Sequence, residues 1–423
     1  MVIGWIGTGN MGARMAERLV LAGYKLFVFN RTRSKAQRVL DAGDAEFLTS
    51  PAEIARQCDL IFTSVTNDDA MREILNGENG LLCKVKSGQI FVEMSTLSPD
   101  CSDELRETMH KLGVLYLDAP VVGSMFMIEQ GLLKILASGD KDAYDIVLPY
   151  FKAIGRSSVY LGSGAQARYM KIAVNMMICS YLTIYGEVLL AGEGMGFSWE
   201  ELNTLLENSD GASPMLNDKG TTHKARVWGG TTALTSTAMK DLSLALDCAG
   251  KAHFALPLTA MICQYDCYMH FNPKYELYST FGTIGVLEDW CGKGPGDYAS
   301  VPGEKKAELS NTLAIALVGA TILLAYEAVL FCRKADVEWN AAIDCLGTCH
   351  GASKYFKKTY ACLTGGQVTD TISIEDVRNA LNLVLKNAKE NGLFLPILAT
   401  TCQELNRIAS NFEPITGISA IML

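Results

Sequence analysis

The chain has 423 residues, a formal net charge of −9 and a sequence pI near 5.2, with 49% hydrophobic and 20% charged residues. This composition excludes an intrinsically disordered chain, and the acidic balance gives no electrostatic footprint for nucleic acid or an anionic membrane surface. The length favours two or three domains.

Cysteine usage and the apolar runs bear on the location of the protein. Thirteen cysteines occur without a framework spacing, which is typical of reduced thiols in the cytoplasm. The first residues lack the pattern of a signal peptide. The most apolar run, Leu313–Tyr326, is shorter than the roughly 20 residues that span a bilayer. We therefore expect a cytoplasmic protein without a membrane segment.

The chain begins with the pattern of a strand, a glycine-rich turn and a helix. Val2–Ile6 is a short apolar run, and the six residues that follow it open a helical pattern. In this context the first glycine permits the turn, the second lets a pyrophosphate approach the backbone, and the third lets the helix pack on the strand. The pattern predicts a dinucleotide site at Gly7, Thr8, Gly9, Asn10, Met11 and Gly12.

The end of the second predicted strand, Lys25–Asn30, indicates which dinucleotide binds. An acidic residue there would bind the ribose 2′-hydroxyl of NAD, but this chain has basic and hydroxyl side chains. Guanidinium groups suit a phosphate dianion, so the sequence predicts NADP as the cofactor. The alternative is a solvated, basic start of a helix. The residues concerned are Asn30, Arg31, Thr32 and Lys35, with Arg33 as the second guanidinium.

Strand and helix patterns then alternate along the first part of the chain. Such alternation predicts a mostly parallel, doubly wound sheet with helices on both faces, a Rossmann-type α/β domain. The further predicted strands are Leu60–Val65, Gln89–Met94, Leu115–Leu117, Leu133–Ala137 and Ser158–Leu161.

Ligands gather at the carboxyl ends of parallel strands, and these ends carry small polar residues. The alternative for each is an ordinary hydroxyl or amide cap at the start of the next helix. We expect cofactor contacts from Val65, Thr66, Asn67 and Thr96. We expect further ligand contacts from Ser95, Thr96, Val122, Gly123 and Ser124.

The stretch Ala165–Gly194 reads as one long helix that is apolar almost all round, apart from a polar stripe. Lys171 and Asn175 lie four residues apart and therefore share a face. One interpretation is a lysine that snorkels near the helix start. The other is a catalytic ammonium whose pKa burial lowers, with Asn175 positioning a ligand. After the start of this helix, the sequence shows only helical periodicity and loops.

The second half of the chain contains an internal repeat. A shift of 140 residues pairs Glu187 with Glu327 and Trp199 with Trp339, and a shift of 139 continues the match. The polar stripe is lost in the second copy, where Lys171 falls on Asn311, which suggests that the first copy is the working one. The predicted organisation is an NADP-binding domain over residues 1–163, a helical unit over 164–272, a linker over 273–306 and a second, structural helical unit over 307–423.

The other losses in the second copy concern a second polar pair. Asn175 falls on Ile315, and Lys240 and Asp241 fall on Asn379 and Ala380. We assign Lys240 to cofactor binding and Asp241 to substrate binding. The second unit is predicted to act as a built-in partner, which leaves a monomer with a pseudo-dimer or a homodimer as the expected assembly.

Taken together, these motifs resemble the β-hydroxyacid dehydrogenase family over roughly residues 1–285, and the glyoxylate/succinic semialdehyde reductase branch in particular. The duplicated helical unit is similar to that of 6-phosphogluconate dehydrogenase, but this chain lacks the sugar-phosphate motifs of that enzyme. The motifs that carry the resemblance are the glycine turn, the basic strand end, Glu93-Met94-Ser95-Thr96, Asp118-Ala119-Pro120-Val121, Gly131, Lys171 with Asn175, and Lys240-Asp241-Leu242.

The resemblance implies roles for several residues. Lys171 would act as general acid or base, Asn175 would orient the substrate, and the two strand-end turns would hold the substrate carboxylate. One departure is Val122, which replaces the serine of the family's turn and removes a hydroxyl donor. The implied activity interconverts a small aldehyde or 2-oxo acid and its hydroxy acid with NADPH. The alternatives are reduction of another carbonyl or an imine, and a non-catalytic NADP-binding scaffold.

A metal site is not expected. Cys263, Cys267 and His270 could share a helix face, but no fourth ligand is evident in the sequence, and buried thiols are the preferred interpretation.

Overall fold

The computed structural model describes residues 1–216, 224–229, 235–294, 298, 303–363, 371–413 and 416–422. The chain forms two compact units, one comprising Met1–Lys171 with Ala335–Val337 and the other Ile172–Lys334 with Glu338–Leu423. The predicted boundary after residue 163 differs from this division. The first turn of the long helix Gln166–Gly194 belongs to the first unit, and the helix continues into the second.

The first unit is a sheet with helices between its strands. The strands are β1 Ile3–Ile6, β2 Leu26–Phe29, β3 Ala45–Phe47, β4 Leu60–Thr63, β5 Ile90–Glu93, β6 Leu115–Asp118, β7 Val121–Val122, β8 Lys134–Gly139 and β9 Ser157–Tyr160. The helices are α1 Gly12–Leu21, α2 Gln37–Asp41, α3 Pro51–Gln57, α4 Asp68–Asn76, α5 Pro99–Lys111, α6 Met125–Glu129, α7 Lys141–Ile154 and the start of α8 Gln166–Gly194.

The sheet confirms the predicted Rossmann-type topology. Strands β3-β2-β1-β4-β5-β6 run parallel in that order, and β8 then pairs antiparallel with β6, while β7 and β9 both pair with β8. Because the chain passes from β3 to β4 across β1, the carboxyl ends of β1 and β4 border the point where the strand order reverses. Such a point is where ligands bind in open α/β sheets.

Alternate residues of each strand pack into different apolar cores on the two faces of the sheet. Trp5 and Phe62 belong to one core, whereas Ile61 and Phe91 belong to the other. Strands buried on both faces read as continuous apolar runs, which is why these strands were recognisable in the sequence.

The second unit is helical. Besides most of α8, its helices are α9 Trp199–Asn208, α10 Thr235–Lys251, α11 Pro257–Phe271, α12 Thr283–Cys291, α13 Lys306–Lys334, α14 Trp339–Gly347, α15 Lys354–Leu363, α16 Ile374–Asn391 and α17 Pro396–Ala409. The stretch predicted as a linker contains α12, in which Ile284, Val286 and Leu287 are fully buried. The helix α12 is therefore packed into the second unit.

Corresponding helices of the unit agree in length and spacing. α8 and α13 both have 29 residues and begin 140 residues apart, and α9 and α14 both begin at a tryptophan with the same offset. α11 and α17 both begin at a proline, 139 residues apart. These are the helices that the predicted duplication pairs with one another.

Two buried glutamates connect the copies reciprocally. Glu187 on α8 accepts hydrogen bonds from the amides of Ile397 and Leu398, both at 2.9 Å, at the start of α17. Glu327 on α13 accepts from the amides of Leu258 at 2.7 Å and Thr259 at 2.9 Å, at the start of α11. Each copy thus supplies the carboxylate that satisfies the first amides of a helix in the other copy.

Within the described residues, two helices are long and apolar enough to cross a membrane by length and composition alone. They are Gln166–Gly194 and the segment Gly303–Lys334, whose apolar windows are 83% and 78% buried within the protein. The second contains the run Leu313–Tyr326, and its helix is longer than the apolar run suggested. Burial in a helical core explains the apolar character of both helices.

Candidate active site

The glycine turn between β1 and α1 has the geometry that its sequence predicts. Gly7 has a φ of 95°, and a Cβ atom there would lie 2.2 Å from the carbonyl oxygen of Ser64. A Cβ atom at Gly12 would lie 2.2 Å from the carbonyl oxygen of Gly7. The amide of Thr8 donates to the side-chain oxygen of Asn30 at 3.0 Å, which fixes the turn to the end of β2. Only glycine fits at the two crowded positions.

The rest of the turn is open or lacks a partner. A Cβ atom at Gly9 would meet nothing within 4 Å, and Gly9 and Asn10 are exposed. The hydroxyl oxygen of Thr8 is buried, yet it has no hydrogen-bond partner among the described residues. Backbone amides, an approachable glycine and an unsatisfied hydroxyl at a helix N-terminus are suited to a pyrophosphate. The turn therefore fits the dinucleotide predicted from the sequence.

A cavity in the first unit continues from this turn past the end of β2. Arg31, Thr32 and Lys35 line it together with Val65 and Thr66 from the end of β4. These residues were predicted to bind the cofactor, and the structure brings them to one cavity. The side-chain amide of Asn30 donates to the carbonyl oxygen of Thr32 at 2.9 Å and so holds the basic turn in place.

Two charged residues near this cavity differ from the sequence interpretation. Arg33, predicted as a second guanidinium of the phosphate site, instead places its guanidinium 4.8 Å from the ring centre of Phe47 and does not line the cavity. Glu73 on α4, which sequence reasoning missed, does line it. Its Oε2 atom lies 3.4 Å from Nη1 of Arg31.

Two of the strand-end residues act as helix caps. The side chain of Asn67 accepts from the amide of Ala70 at 3.0 Å at the start of α4, and the hydroxyl of Ser124 accepts from the amide of Met127 at 3.4 Å at the start of α6. For Asn67 and Ser124 the capping alternative describes the observed contacts. Neither contact prevents a backbone amide from meeting a ligand.

The turn after β5 is held on three sides. The hydroxyl of Ser95 accepts from the amide of Val65 at 2.6 Å, and the amide of Ser95 donates to Glu93 Oε1 at 2.8 Å. The carbonyl oxygen of Ser95 accepts from the guanidinium of Arg168. Ser95 is buried, whereas Thr96 next to it is half-buried. The position of the predicted Ser95–Thr96 turn is therefore fixed within the first unit.

Arg168 is the centre of a buried ionic cluster. It is 1% exposed, its Nε donates to Asp118 Oδ1 at 2.7 Å, and its Nη2 donates to Glu93. The hydroxyl of Tyr116 also donates to Asp118, at 2.7 Å. Burial alone lowers the pKa of Arg168, but the two carboxylates beside it reverse the effect and raise the pKa above its ordinary value. Burial raises the pKa of Glu93, against the opposing effect of Arg168.

This cluster explains why the first turn of α8 belongs to the first unit. An arginine in the first helical turn faces the positive end of the helix dipole, and burying a lone charge is costly. The carboxylates of Glu93 and Asp118 at the ends of β5 and β6 compensate both effects. Sequence reasoning missed Arg168 because its partners lie 75 and 50 residues away.

Lys171 lies one turn after Arg168, on the part of α8 that carries the predicted polar stripe. Its neighbours Met170 and Ile172 are fully buried, whereas Lys171 is half-buried. The sequence suggested a buried ammonium, whereas the structure shows a half-buried lysine.

The second unit brings three of the predicted residues together. The side-chain amide of Asn175 donates to Asp241 Oδ2 at 2.6 Å, and Lys240 Nζ lies 3.1 Å from Asp241 Oδ1. Asp241 is buried, and Lys240 is partly exposed. Asn175 follows Lys171 by one turn of the same helix. In the second copy these positions are Ile315, Asn379 and Ala380, which lack such a carboxylate.

The described cysteines are all free, and no group of three or more His, Cys, Asp or Glu side chains able to hold a metal occurs in the described part of the chain. The Sγ atom of Cys263 lies 3.6 Å from the hydroxyl of Ser243.

The glycine turn, the cavity beside it and the Rossmann-type sheet define a dinucleotide-binding protein. Residues 2–162 match the family described as the NAD binding domain of 6-phosphogluconate dehydrogenase, and residues 165–269 match the NAD-binding domain of NADP-dependent 3-hydroxyisobutyrate dehydrogenase. Glyoxylate/succinic semialdehyde reductase 2 of Arabidopsis thaliana, a chloroplastic protein, is 31% identical over 258 residues, which are 61% of this chain and 72% of that protein. The chain belongs to the β-hydroxyacid dehydrogenase family, whose members are NAD(P)-dependent oxidoreductases.

Solved structures extend the similarity in fold. A 3-hydroxyisobutyrate dehydrogenase of Mycobacterium tuberculosis solved with L-serine has a TM-score of 0.62 and 21% identity, and the match covers 68% of this chain and 99% of that one. The 6-phosphogluconate dehydrogenase of Plasmodium falciparum has a TM-score of 0.73 and 13% identity, with 98% and 94% covered. The fold shared with the second structure therefore includes both helical copies.

Proposed function

We propose that the protein is an NADPH-dependent reductase that interconverts a small aldehyde or 2-oxo acid and its hydroxy acid, with Lys171 as proton donor. The observation that carries the proposal is the cluster of Asn175, Asp241 and Lys240, one helical turn beyond Lys171. The same polar set is missing from the second copy, so packing alone does not require it.

The proposed reaction balances as one hydride and one proton added to a carbonyl group. NADPH, held at the glycine turn and beside Arg31, Thr32 and Lys35, would supply the hydride for the carbonyl carbon. The ammonium of Lys171 gives its proton to the carbonyl oxygen, and solvent restores that proton. Asn175 orients the substrate, and Asp241 holds the side-chain amide of Asn175 in one direction while it offsets the charge of Lys240. In the reverse direction Lys171 acts as the base.

The strand-end turns suit the carboxylate of a small substrate. We assign this group to the Ser95–Thr96 turn and to the backbone amides of Gly123 and Ser124. Val122 offers no hydroxyl at this point, so the proposed site holds a carboxylate with fewer donors than a serine would give.

NADP is the proposed cofactor because Arg31, Thr32 and Lys35 line the cavity beside the glycine turn. Two cations and a hydroxyl complement a phosphate dianion. We also propose a cytoplasmic location, in keeping with the free thiols of the described cysteines.

The test is the substitution Lys171→Met, which keeps the apolar stem and removes the ammonium. A panel of small aldehydes and 2-oxo acids is first screened by following NADPH absorbance. On the best substrate we expect kcat to fall by about 10²-fold or more, with NADPH affinity nearly unchanged. The matched control is Asn311→Met, because Asn311 occupies the corresponding position in the second copy and should leave kcat unchanged.

The outcome separates the proton donor from the rest of the proposal. Turnover by the Lys171→Met variant within a few-fold of the wild type would refute the role of Lys171. A wild-type protein that reduces no member of the panel would refute the substrate class.

A further inference from the structure

The cavity beside the glycine turn contains one acidic side chain that the proposed cofactor site does not use. Glu73 lines the same cavity as Arg31, Thr32 and Lys35, and its carboxylate pairs with the guanidinium of Arg31 at 3.4 Å. Glu73 comes from α4, whereas the basic residues follow β2. Inspection of the strand end alone therefore finds no carboxylate, although the folded cavity has one.

The exposure of the pair shows that it is available to a ligand. The Arg31 side chain is 83% exposed and that of Glu73 is 62% exposed. An exposed ion pair of this kind contributes little to stability and exchanges easily for other partners. Neither side chain is therefore committed to holding the fold, in contrast to the buried cluster around Arg168.

A carboxylate at this position acts differently on the two nicotinamide dinucleotides. The 2′-phosphate of NADP needs the guanidinium that Glu73 occupies, and its negative charge is repelled by the carboxylate. The 2′-hydroxyl of NAD has no charge to repel, and a carboxylate is a good acceptor for it. A basic pair and an acid in one cavity thus oppose each other in the choice of cofactor.

We infer that Glu73 is a specificity-determining residue. Its carboxylate competes with the 2′-phosphate of NADP for Arg31, which weakens NADP binding and allows NAD to compete for the site. The inference rests on the proposed cofactor site and deepens it. The protein is then a NADP-preferring enzyme whose preference is moderated by a single carboxylate. Its selectivity should respond to the charge at position 73 more than to the size of that side chain.

The experiment is a titration of the wild type and of Glu73→Gln with NADP⁺ and with NAD⁺, each followed by calorimetry. The substitution keeps the size of the side chain and removes its charge. We expect NADP⁺ to bind about tenfold more tightly at low ionic strength, while NAD⁺ affinity stays equal or falls by a few-fold. The gain for NADP⁺ should shrink in high salt, because both charged groups are exposed.

The matched control is Glu78→Gln, which makes the same charge change five residues further on, at an exposed side chain that does not line the cavity. It should leave both affinities unchanged. An equal change for the two dinucleotides in Glu73→Gln, or an unchanged affinity for NADP⁺, would overturn the inference.

The same titrations distinguish this inference from the proposed function. A wild type that prefers NAD⁺ refutes the NADP assignment. The role of Glu73 can still be tested in that case, by asking whether Glu73→Gln raises the affinity for NADP⁺ relative to that for NAD⁺. A wild type that binds neither dinucleotide refutes both. A wild type that prefers NADP⁺, with a ratio that Glu73→Gln does not move, overturns the role of Glu73 alone.

Discussion

The reciprocal caps formed by Glu187 and Glu327 predict that the stability of the helical unit falls as pH rises. Burial raises the pKa of Glu187 to about 8 and that of Glu327 to about 7, although the amides that donate to each carboxylate favour its ionised form. Each acid therefore holds its proton more tightly in the folded than in the unfolded chain. Its contribution to the free energy of unfolding is complete below about pH 4.5 and is lost as pH rises through the folded pKa.

The substitutions Glu187→Gln and Glu327→Gln remove this titration while keeping the shape of the side chain. A pKa of about 7 in place of the ordinary 4.5 makes the pH-dependent contribution of Glu327 about 3 kcal/mol. The corresponding value for Glu187, with a pKa of about 8, is about 5 kcal/mol. Both are upper bounds, because the folded chain can relax around an ionised carboxylate.

The assay is urea unfolding of the wild type, of each variant and of the double variant at several pH values between about 5 and 8. Burial also raises the pKa of Glu193 to about 7 and that of Asp266 well above its ordinary value, so the slope of the wild type has several sources. The quantity to compare is the difference in the free energy of unfolding between wild type and variant, which should become smaller as pH rises. Glu308→Gln, at an exposed position of the same helix as Glu327, is the control and should lie parallel to the wild type.

A second measurement locates the effect. Glu327→Gln should speed hydrogen exchange at the amides of Leu258 and Thr259, which lie in the other copy. The reasoning would be refuted if the free energy of unfolding of the wild type and of both variants changed with pH in parallel and exchange at these amides were unchanged.

Two further substitutions test the first unit. Arg31→Ala should weaken NADP⁺ binding by about 10-fold or more with little effect on NAD⁺ binding, since a charge-assisted contact contributes about 1.5 to 3 kcal/mol. The control variant Arg33→Ala should leave both affinities unchanged. Titrations in which the two variants behave alike would contradict the assignment. Arg168→Met should lower the free energy of unfolding by about 3 to 5 kcal/mol, because it leaves two buried carboxylates uncompensated. Urea unfolding measures that loss, and restoration of stability by adding Glu93→Gln and Asp118→Asn checks its electrostatic origin.

Local patterns in the sequence predicted the parts of the fold that depend on local chemistry. The strand β1, the glycine turn and the long helix α8 are visible because each follows from periodicity or from a backbone conformation that only glycine adopts. The strands β3 and β7 were missed. They have three and two residues, too few for a period to emerge.

Residues whose role depends on distant partners could not be predicted in the same way. Glu73 reads as an ordinary charge on the exposed face of α4, and only the fold brings it to Arg31. The two compact units divide at Lys171, later than the predicted boundary, for a related reason. The glycines near residue 163 suggest a break, but the bonds of Arg168 to Glu93 and Asp118 attach the next helical turn to the sheet.

The two proposed copies of the helical unit differ in which polar residues they keep. Glu187 and Glu327 occupy equivalent positions, and each caps a helix of the other copy, so the loss of either leaves two buried amides without an acceptor. Both copies therefore need the glutamate. Asn175 and Asp241 contact each other within the first copy, and the second copy has apolar residues at both corresponding positions. This difference between the two copies is why we propose the chemistry for the first copy alone.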